Sequence, residues 1–430
     1  MKVIFKRNIG HTIYSFAGQI SFLLSNFVLF LYLAKNYDQA VFGNWALFIT
    51  TVSILDGLRQ GFVQNGLARL IIKHKAKPEI ISTGLLLNYS VVALTSILLL
   101  LLSIFAPTEI AILYVHGFKV LLVLATIQYL NSIHQSQHRF SRYFLVNLVY
   151  LLSFLIVLGF QIFVYGKPEL VSIINLMLFA IIPVVIFTLI GKEFKLVPPE
   201  KKTVLELIHF GKYSSGTNLL SLLFQRADLL MISYFLDPTA VAIFHFANKI
   251  INYAELPLQA LSQVIYPRLA ASHLHNNGIE LNKTYGNSIL WLLAFIIPMT
   301  MTVIAFNGTI INLIGSDSYA SASTVIIILS IASFFKPWGR VFGLTLDAVG
   351  KPKINFYMLA FSLLVNVLMN WMLIPKYGVN GAALATSSSV IITIIIGQLK
   401  IRKTLAINPM QEVINSLKSM YQLKIERKWN

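Results

Sequence analysis

The chain has 430 residues, 57% of them hydrophobic and 12% charged, with a mean hydropathy of +0.74. About a quarter of a soluble domain is charged, so an ordinary soluble enzyme is excluded and most of the surface must face lipid. The 34 Lys and Arg exceed the 16 Asp and Glu, giving a net charge of +18, and the absence of cysteine excludes disulfides, thiol nucleophiles and thiolate metal sites.

A spanning helix needs roughly 20 mostly apolar residues. Twelve such stretches are predicted, at 10–34, 41–68, 81–105, 111–134, 143–164, 170–190, 210–235, 239–265, 285–306, 321–346, 354–374 and 379–400. The first follows Lys2, Lys6 and Arg7 and is expected to be a retained signal anchor, since no small-residue cleavage site follows its long apolar run. Short loops rich in Lys and Arg stay cytoplasmic. With both termini inside, that side collects most of the basic residues, in groups around Arg69 to Lys77, Arg139 and Arg142, Lys192 to Lys212, Arg268 and Lys283, Lys351 and Lys353, and the segment after Lys400. Only Lys35, Lys167 and Lys376 fall outside. The excess positive charge is thus mainly topological, and nucleic acid is not an expected partner.

The outer loops are short, the longest at about 307–320, which leaves no extracytoplasmic domain for chemistry. A charged stretch with Pro198 and Pro199 at 191–209 reads as a cytoplasmic linker. It divides an amino-terminal six-helix bundle, 1–190, from a carboxy-terminal one, 210–400, followed by a basic cytoplasmic tail, 401–430. The expected fold is an all-α polytopic membrane protein with two pseudo-symmetric bundles around a central cleft. An internal repeat supports the division: Asp38-Gln39-Ala40-Val41-Phe42-Gly43-Asn44-Trp45 bridges helices 1 and 2 as Asp237-Pro238-Thr239-Ala240-Val241-Ala242-Ile243-Phe244 bridges helices 7 and 8, with aspartate, small residue and aromatic at the same spacing. Six helices per half imply a parallel repeat, with a site near the membrane midplane.

Helices 11 and 12 carry Gly350-Lys351-Pro352-Lys353, then Asn366 and Asn370, then Ile374-Pro375-Lys376-Tyr377-Gly378-Val379-Asn380-Gly381-Ala382-Ala383-Leu384-Ala385-Thr386. This resembles the Wzx-type polysaccharide flippase branch of the multidrug/oligosaccharidyl-lipid/polysaccharide exporter superfamily. Asp56-Gly57-Leu58, and Asp228, Ala247, Lys249 and Pro267, are similar to the same branch. The resemblance implies a bacterial inner-membrane flippase, with no catalytic role. It would move an undecaprenyl-pyrophosphate-linked oligosaccharide to the periplasmic leaflet for O-antigen or capsule biosynthesis. Implied partners are the lipid-linked oligosaccharide, membrane lipids, and the polysaccharide polymerase and chain-length machinery. The motif itself reads as architectural: Gly and Pro punctuate turns, and the small residues after Gly381 permit close helix packing.

Ionisable groups in a span cost on the order of 3 kcal/mol each and tend to line a bundle interior. Asp56 and Arg59, three apart, can pair on one helix face. Arg226 and Asp228, two apart, point about 200 degrees apart and need separate partners. Lys249 would join Arg226 in a cationic patch, or snorkel to the headgroups. Lys336 and Arg340, four apart, share a face and repel unless an anion lies between them. Lys119 reads as interfacial, and Asp347 as a partner of loop cations. The expected substrate-binding set is therefore Arg59, Arg226, Lys249, Lys336 and Arg340, a cationic cavity for a phosphate or pyrophosphate. Asp56, Asp228 and Glu255 are the candidates for coupling to a proton or sodium gradient. Structural ion pairing remains open for each. His134 and His138 have helical spacing but no accompanying Glu, so neither a metal nor another cofactor is expected. The competing readings are a cation-coupled multidrug exporter of the same superfamily, a membrane glycan polymerase or ligase, and a non-transporting scaffold.

Overall fold

The structure is a computed structural model that describes residues 2–74, 76–191, 197–274 and 278–429. Lys75, Lys192 and Lys195 of the expected cytoplasmic set lie outside the described residues, as do residues 192–196 of the expected linker. Among the described residues there is helix and turn but no strand. Eight helices among the described residues are long and apolar enough to cross a membrane, or nine when one bent pair counts as a single span. Their apolar side chains point outward as well as inward: Phe105 is 87% exposed and Phe163 91%. In water such surface would be a liability; in lipid it is the solvated face. The chain is a multi-pass membrane protein.

By contacts the chain divides into Met1–Leu223 and Phe224–Asn430. The first unit holds α1 (Lys2–Asn36), α2 (Gln39–Arg59), α3 (Asn65–His74), α4 (Pro78–Phe105), α5 (Thr108–Ser136), α6 (Phe140–Tyr165), α7 (Leu170–Ile190) and the start of α8 (Lys201–Phe235). Between α2 and α3 the chain makes one π-helical segment, Gln60–Gln64, so the expected stretch 41–68 is continuous but locally widened. Helix α5 lies at the centre of this unit, against α2, α4, α6 and α7. Its Gly117 lets Leu99 and Phe48 close in: a Cβ there would stand 2.8 Å from Leu99 Cδ1. The polypeptide just before α8 is held to the same unit. Val197 N–H donates to Ser82 Oγ at 2.9 Å and Glu200 N–H to Thr83 Oγ1 at 3.2 Å, which ties the chain before α8 to the second turn of α4.

The second unit continues with α9 (Pro238–Ala254), α10 (Leu256–Leu274), α11 (Gly278–Ala305), α12 (Asn307–Ile314), α13 (Ala322–Ser333), α14 (Lys336–Ala348), α15 (Pro352–Leu405) and α16 (Pro409–Trp429). Two expected spans are each broken into two helices. Stretch 239–265 splits at Glu255, just before Pro257, and stretch 321–346 splits after Ser333, just before Pro337, since proline cannot donate to the preceding turn. Conversely, the expected spans 354–374 and 379–400 form one 54-residue run that reverses at Gly378 (φ 57, ψ −136), a backbone conformation that favours glycine. Just beyond, a Cβ on Gly381 would meet Leu373 O at 2.2 Å. The expected outer loop 307–320 is largely helical, and Tyr319 in its short 3-10 turn stacks on Phe246 with centroids 4.4 Å apart. The two repeated turns differ in chemistry. Asp237 accepts from Ala240 N–H at 2.8 Å and caps α9, whereas Asp38 makes no side-chain cap on α2.

The carboxy-terminal tail is helical too. α16 docks on α11 so closely that a Cβ on Gly286 would lie 2.4 Å from Glu412 O, and Val413 joins the core of Tyr285, Ile289 and Ile401. Gly286→Leu is therefore expected to undock α16 at a cost of about 1–3 kcal/mol, the usual scale of overpacking. Faster protease cleavage after Lys418, with the rest of the chain intact, is the measurement; an unchanged cleavage rate would contradict this packing.

Candidate functional site

In the amino-terminal unit the spacing of Asp56 and Arg59 is realised as an ion pair, Nε to Oδ1 at 2.7 Å, with Arg59 only 1% exposed. The rest of the guanidinium is also used. One terminal nitrogen donates to Asn88 Oδ1 at 2.8 Å and the other to Gln128 Oε1 at 2.7 Å, so α2, α4 and α5 meet on one side chain. Asp56 Oδ2 accepts from Gln60 at 2.8 Å and from Gln128 at 3.2 Å. A buried pair of this kind holds only when its charges find further hydrogen bonds, and here every guanidinium nitrogen and both carboxylate oxygens have one. With three of its five N–H groups engaged and only 1% of its surface exposed, Arg59 is closed off from an incoming anion in this conformation. Lys119 is likewise engaged, donating to Asn175 Oδ1 on α7 at 2.6 Å.

The carboxy-terminal unit holds the other candidates in three groups. Arg226 on α8 and Lys249 on α9 share one electrostatic neighbourhood with His245, a residue the sequence did not single out. The Nε of Arg226 is buried with no hydrogen-bond partner, and neither cation is salt-bridged to a carboxylate among the described residues. Two cations held together without a counter-charge favour a bound anion.

Asp228 points elsewhere, as the 200-degree separation requires. Its Oδ1 accepts from Asn366 at 2.9 Å and Asn370 at 2.7 Å, both on α15. Asn370 also donates to Asn366 Oδ1 at 3.1 Å, while its own Oδ1 is buried without a partner. Thr386 lies beside the carboxylate and donates its hydroxyl to Ala382 O at 2.9 Å. No basic side chain pairs with Asp228 among the described residues. The result is a buried carboxylate held by two neutral amide N–H donors with no counter-charge, a place where a proton or a small cation would be accommodated. The two asparagines belong to the motif read above as architectural; their i,i+4 spacing in an apolar span was the signal of a shared polar face.

The third group is Glu255, Lys336 and Arg340. Glu255 accepts from Lys336 Nζ at 2.6 Å and from Ser333 Oγ, and Arg340 Nε donates to Ser262 Oγ at 2.7 Å. The expected repulsion between Lys336 and Arg340 is therefore relieved by Glu255 and by divergent partners, without requiring an anion. Both basic residues nonetheless line one cavity of about 390 Å³ whose other walls include Phe224, Phe342, Met358 and Ile394. Asp347 faces Asn355, at 3.4 Å, rather than a loop cation. His134 is fully buried near the end of α5, and no cluster of three His, Cys, Asp or Glu occurs among the described residues.

Comparisons with known proteins agree with this architecture. A family described as "Polysaccharide biosynthesis protein" matches residues 9–273, and the MatE family matches 214–372. Haloferax volcanii "Probable low-salt glycan biosynthesis flippase Agl15" is 25% identical over 191 residues, 44% of this chain and 40% of that one. The "Putative O-antigen transporter" of Shigella flexneri is 22% identical over 192 residues, 44% of this chain and 45% of its own. The alignments thus span less than half of each relative's length. In fold, the chain is similar to an inward-facing multidrug resistance MATE family transporter of the MOP superfamily (TM-score 0.74, 13% identity, 90% of this chain and 94% of that one). It is also similar to the lipid II flippase MurJ in an inward closed conformation (TM-score 0.69, 18% identity, 97% and 93%). Because the first family matches more than half of the chain, residues 9–273 of 430, the chain belongs to the polysaccharide biosynthesis protein family.

Proposed function

We propose that the protein is a flippase for a lipid-linked oligosaccharide, moving an undecaprenyl-pyrophosphate-linked repeat unit from the cytoplasmic to the periplasmic leaflet of a bacterial inner membrane. The observation that carries this reading is that Arg226 and Lys249 share one electrostatic neighbourhood in a membrane-spanning unit, with no carboxylate salt bridge to either among the described residues. A pyrophosphate supplies the missing negative charge, and the Arg226 fork suits its oxygens. The polyprenyl tail stays in lipid, and rocking of the two six-helix halves switches access. Both termini are cytoplasmic in this reading, as the distribution of Lys and Arg requires. Asp228 with its asparagines supplies the coupling site for a proton or sodium gradient, and the polymerase and chain-length machinery receive the delivered unit.

The likeness to MATE transporters supports a second reading, a cation-coupled drug exporter. Cargo charge separates the two, because a cationic drug would be repelled by Arg226 and Lys249. In a deletion strain, lipid-linked repeat units should accumulate, unpolymerised, on the cytoplasmic leaflet; normal outward exposure would sink the flippase reading. Reintroduced at equal membrane abundance, Arg226→Gln should lower outward delivery about tenfold to a hundredfold, the equivalent of about 1.5–3 kcal/mol for a charge-assisted contact. Arg226→Lys should retain part of the activity, and full delivery by the Gln variant would remove Arg226 as an anion contact.

A further inference from the structure

Two spans of the carboxy-terminal unit are broken at matching places. Glu255 is the joint between α9 and α10, with Pro257 following; Lys336 opens α14 immediately before Pro337, and the span containing α13 and α14 bends there by 45°. The pieces pack in pairs, α9 against α13 and α10 against α14. One joint therefore lies beside the other. The Glu255 carboxylate bridges them, accepting from Ser333, the last residue of α13, and from Lys336, the first of α14. A single acidic side chain fastens both breaks.

That fastening also forms part of the wall of the cavity of about 390 Å³. The Lys336 side chain keeps 32% of its surface exposed and Glu255 12%, so the pair is accessible from the cavity. Arg340 stands one turn along α14 from Lys336, with Nε engaged by Ser262 and no hydrogen bond on its terminal nitrogens among the described residues. Thr393, another residue of the lining, has a buried hydroxyl without a partner. A carboxylate thus occupies, next to open guanidinium donors, the place on Lys336 that a larger anion would take.

We propose that Glu255 is a built-in competitor for the cargo's phosphate at a second anion site, separate from Arg226 and Lys249: a phosphate or pyrophosphate arriving there takes Lys336 and the free nitrogens of Arg340, and displaces the carboxylate. Phosphate brings more charge and more acceptor oxygens than a carboxylate, which favours the exchange at a Lys and Arg pair. Two anions cannot share that wall, so α10, which begins beside Glu255, moves away from α14 and its displacement starts at the proline joints. Headgroup arrival and helix motion become one event, because the ligand binds the unfastened state better than the fastened one. This inference rests on the reading that the cargo carries a phosphate headgroup. No bond is made or broken.

The test uses the full chain in lipid nanodiscs with inorganic pyrophosphate as the probe. Glu255→Gln keeps the size and hydrogen-bonding capacity of the side chain and removes its charge. By calorimetry it should bind pyrophosphate about tenfold more tightly than the unaltered protein, while Lys336→Gln binds about tenfold more weakly and the double variant no more tightly than Lys336→Gln. A purely structural Glu255 would give lower thermal stability with no gain in affinity. Because the chain lacks cysteine, spin labels at Asn252→Cys on α9 and Gln263→Cys on α10 report the joint directly. Pyrophosphate should shift their separation in the unaltered background, and Glu255→Gln should show the shifted distance without ligand. Unchanged affinity in Glu255→Gln overturns the exchange, as does an unmoved label distance under saturating pyrophosphate, while loss of binding in Arg226→Gln would leave the anion reading intact. Absence of pyrophosphate binding to the unaltered protein and every variant would remove both.

Discussion

Arg59→Ala is expected to destabilise the protein by about 3–5 kcal/mol, the usual consequence of removing one partner from a buried ion pair. The reason lies in what would be left behind. Asp56 would keep its charge at 1% exposure, and the amide oxygens of Asn88 and Gln128 would lose the donors that now hold α4 and α5 to α2. The π-helical segment begins at the next residue, Gln60, whose own amide is fixed by Asp56, so the loss would reach the bulge as well. A thermal scan of detergent-purified protein should show a markedly lower melting temperature and low membrane yield. Arg59→Met combined with Asp56→Leu should recover much of the loss, since apolar replacement of both buried partners is commonly neutral or better. A single Arg59→Ala variant with unaltered melting would contradict the assigned network. This behaviour separates Arg59 from Arg226, whose Gln variant should remain folded and lose delivery instead.

What the sequence makes legible follows from how far apart interacting residues lie along the chain. The Asp56 and Arg59 pair is visible because both sit on one helix within a turn, and the opposed directions of Arg226 and Asp228 follow from the same geometry. Apolar length likewise locates the spans, including the pair that α15 joins through Gly378. Partners on other helices carry no such mark. Asn88 and Gln128 are 29 and 69 residues from Arg59, and Glu255 is 81 residues from Lys336. Lys336 and Arg340 consequently read as an uncompensated repulsive pair, although one of them is neutralised from a different span. The helix breaks at Pro257 and Pro337 are also softened in a hydropathy profile, which sees continuous apolar composition where the backbone changes direction. The loop at 307–320 shows the opposite effect: polar punctuation hides the short helix that seats Tyr319 on Phe246.

Asp228→Asn should leave the fold intact and reduce outward delivery about a hundredfold, a barrier change of about 3 kcal/mol. The substitution is nearly isosteric, and an amide oxygen can still accept from Asn366 and Asn370 as Oδ1 now does at 2.9 and 2.7 Å. What disappears is the negative charge, set among oxygens that include the unpartnered Oδ1 of Asn370 and unsupported by any basic partner among the described residues. A carboxylate without a counter-ion inside a spanning bundle is costly even when hydrogen-bonded, which is why Asp228 is the candidate for binding and releasing a positive charge. Sodium and proton coupling then predict different measurements. If sodium is the ion, sodium chloride should raise the melting temperature of the unaltered protein above that in choline chloride by RT ln(1 + [L]/Kd) of binding energy, and Asp228→Asn should erase the difference. If protons couple, the two salts should be equivalent, and delivery in inverted vesicles should instead follow an imposed pH gradient in the unaltered protein but not in the variant. Asp228→Ala serves as the contrast: it strands two buried amide donors and should also lose about 1–3 kcal/mol of stability. Wild-type delivery by Asp228→Asn, with its response to either gradient preserved, would remove this carboxylate from the coupling step and leave it a purely structural acceptor for α15.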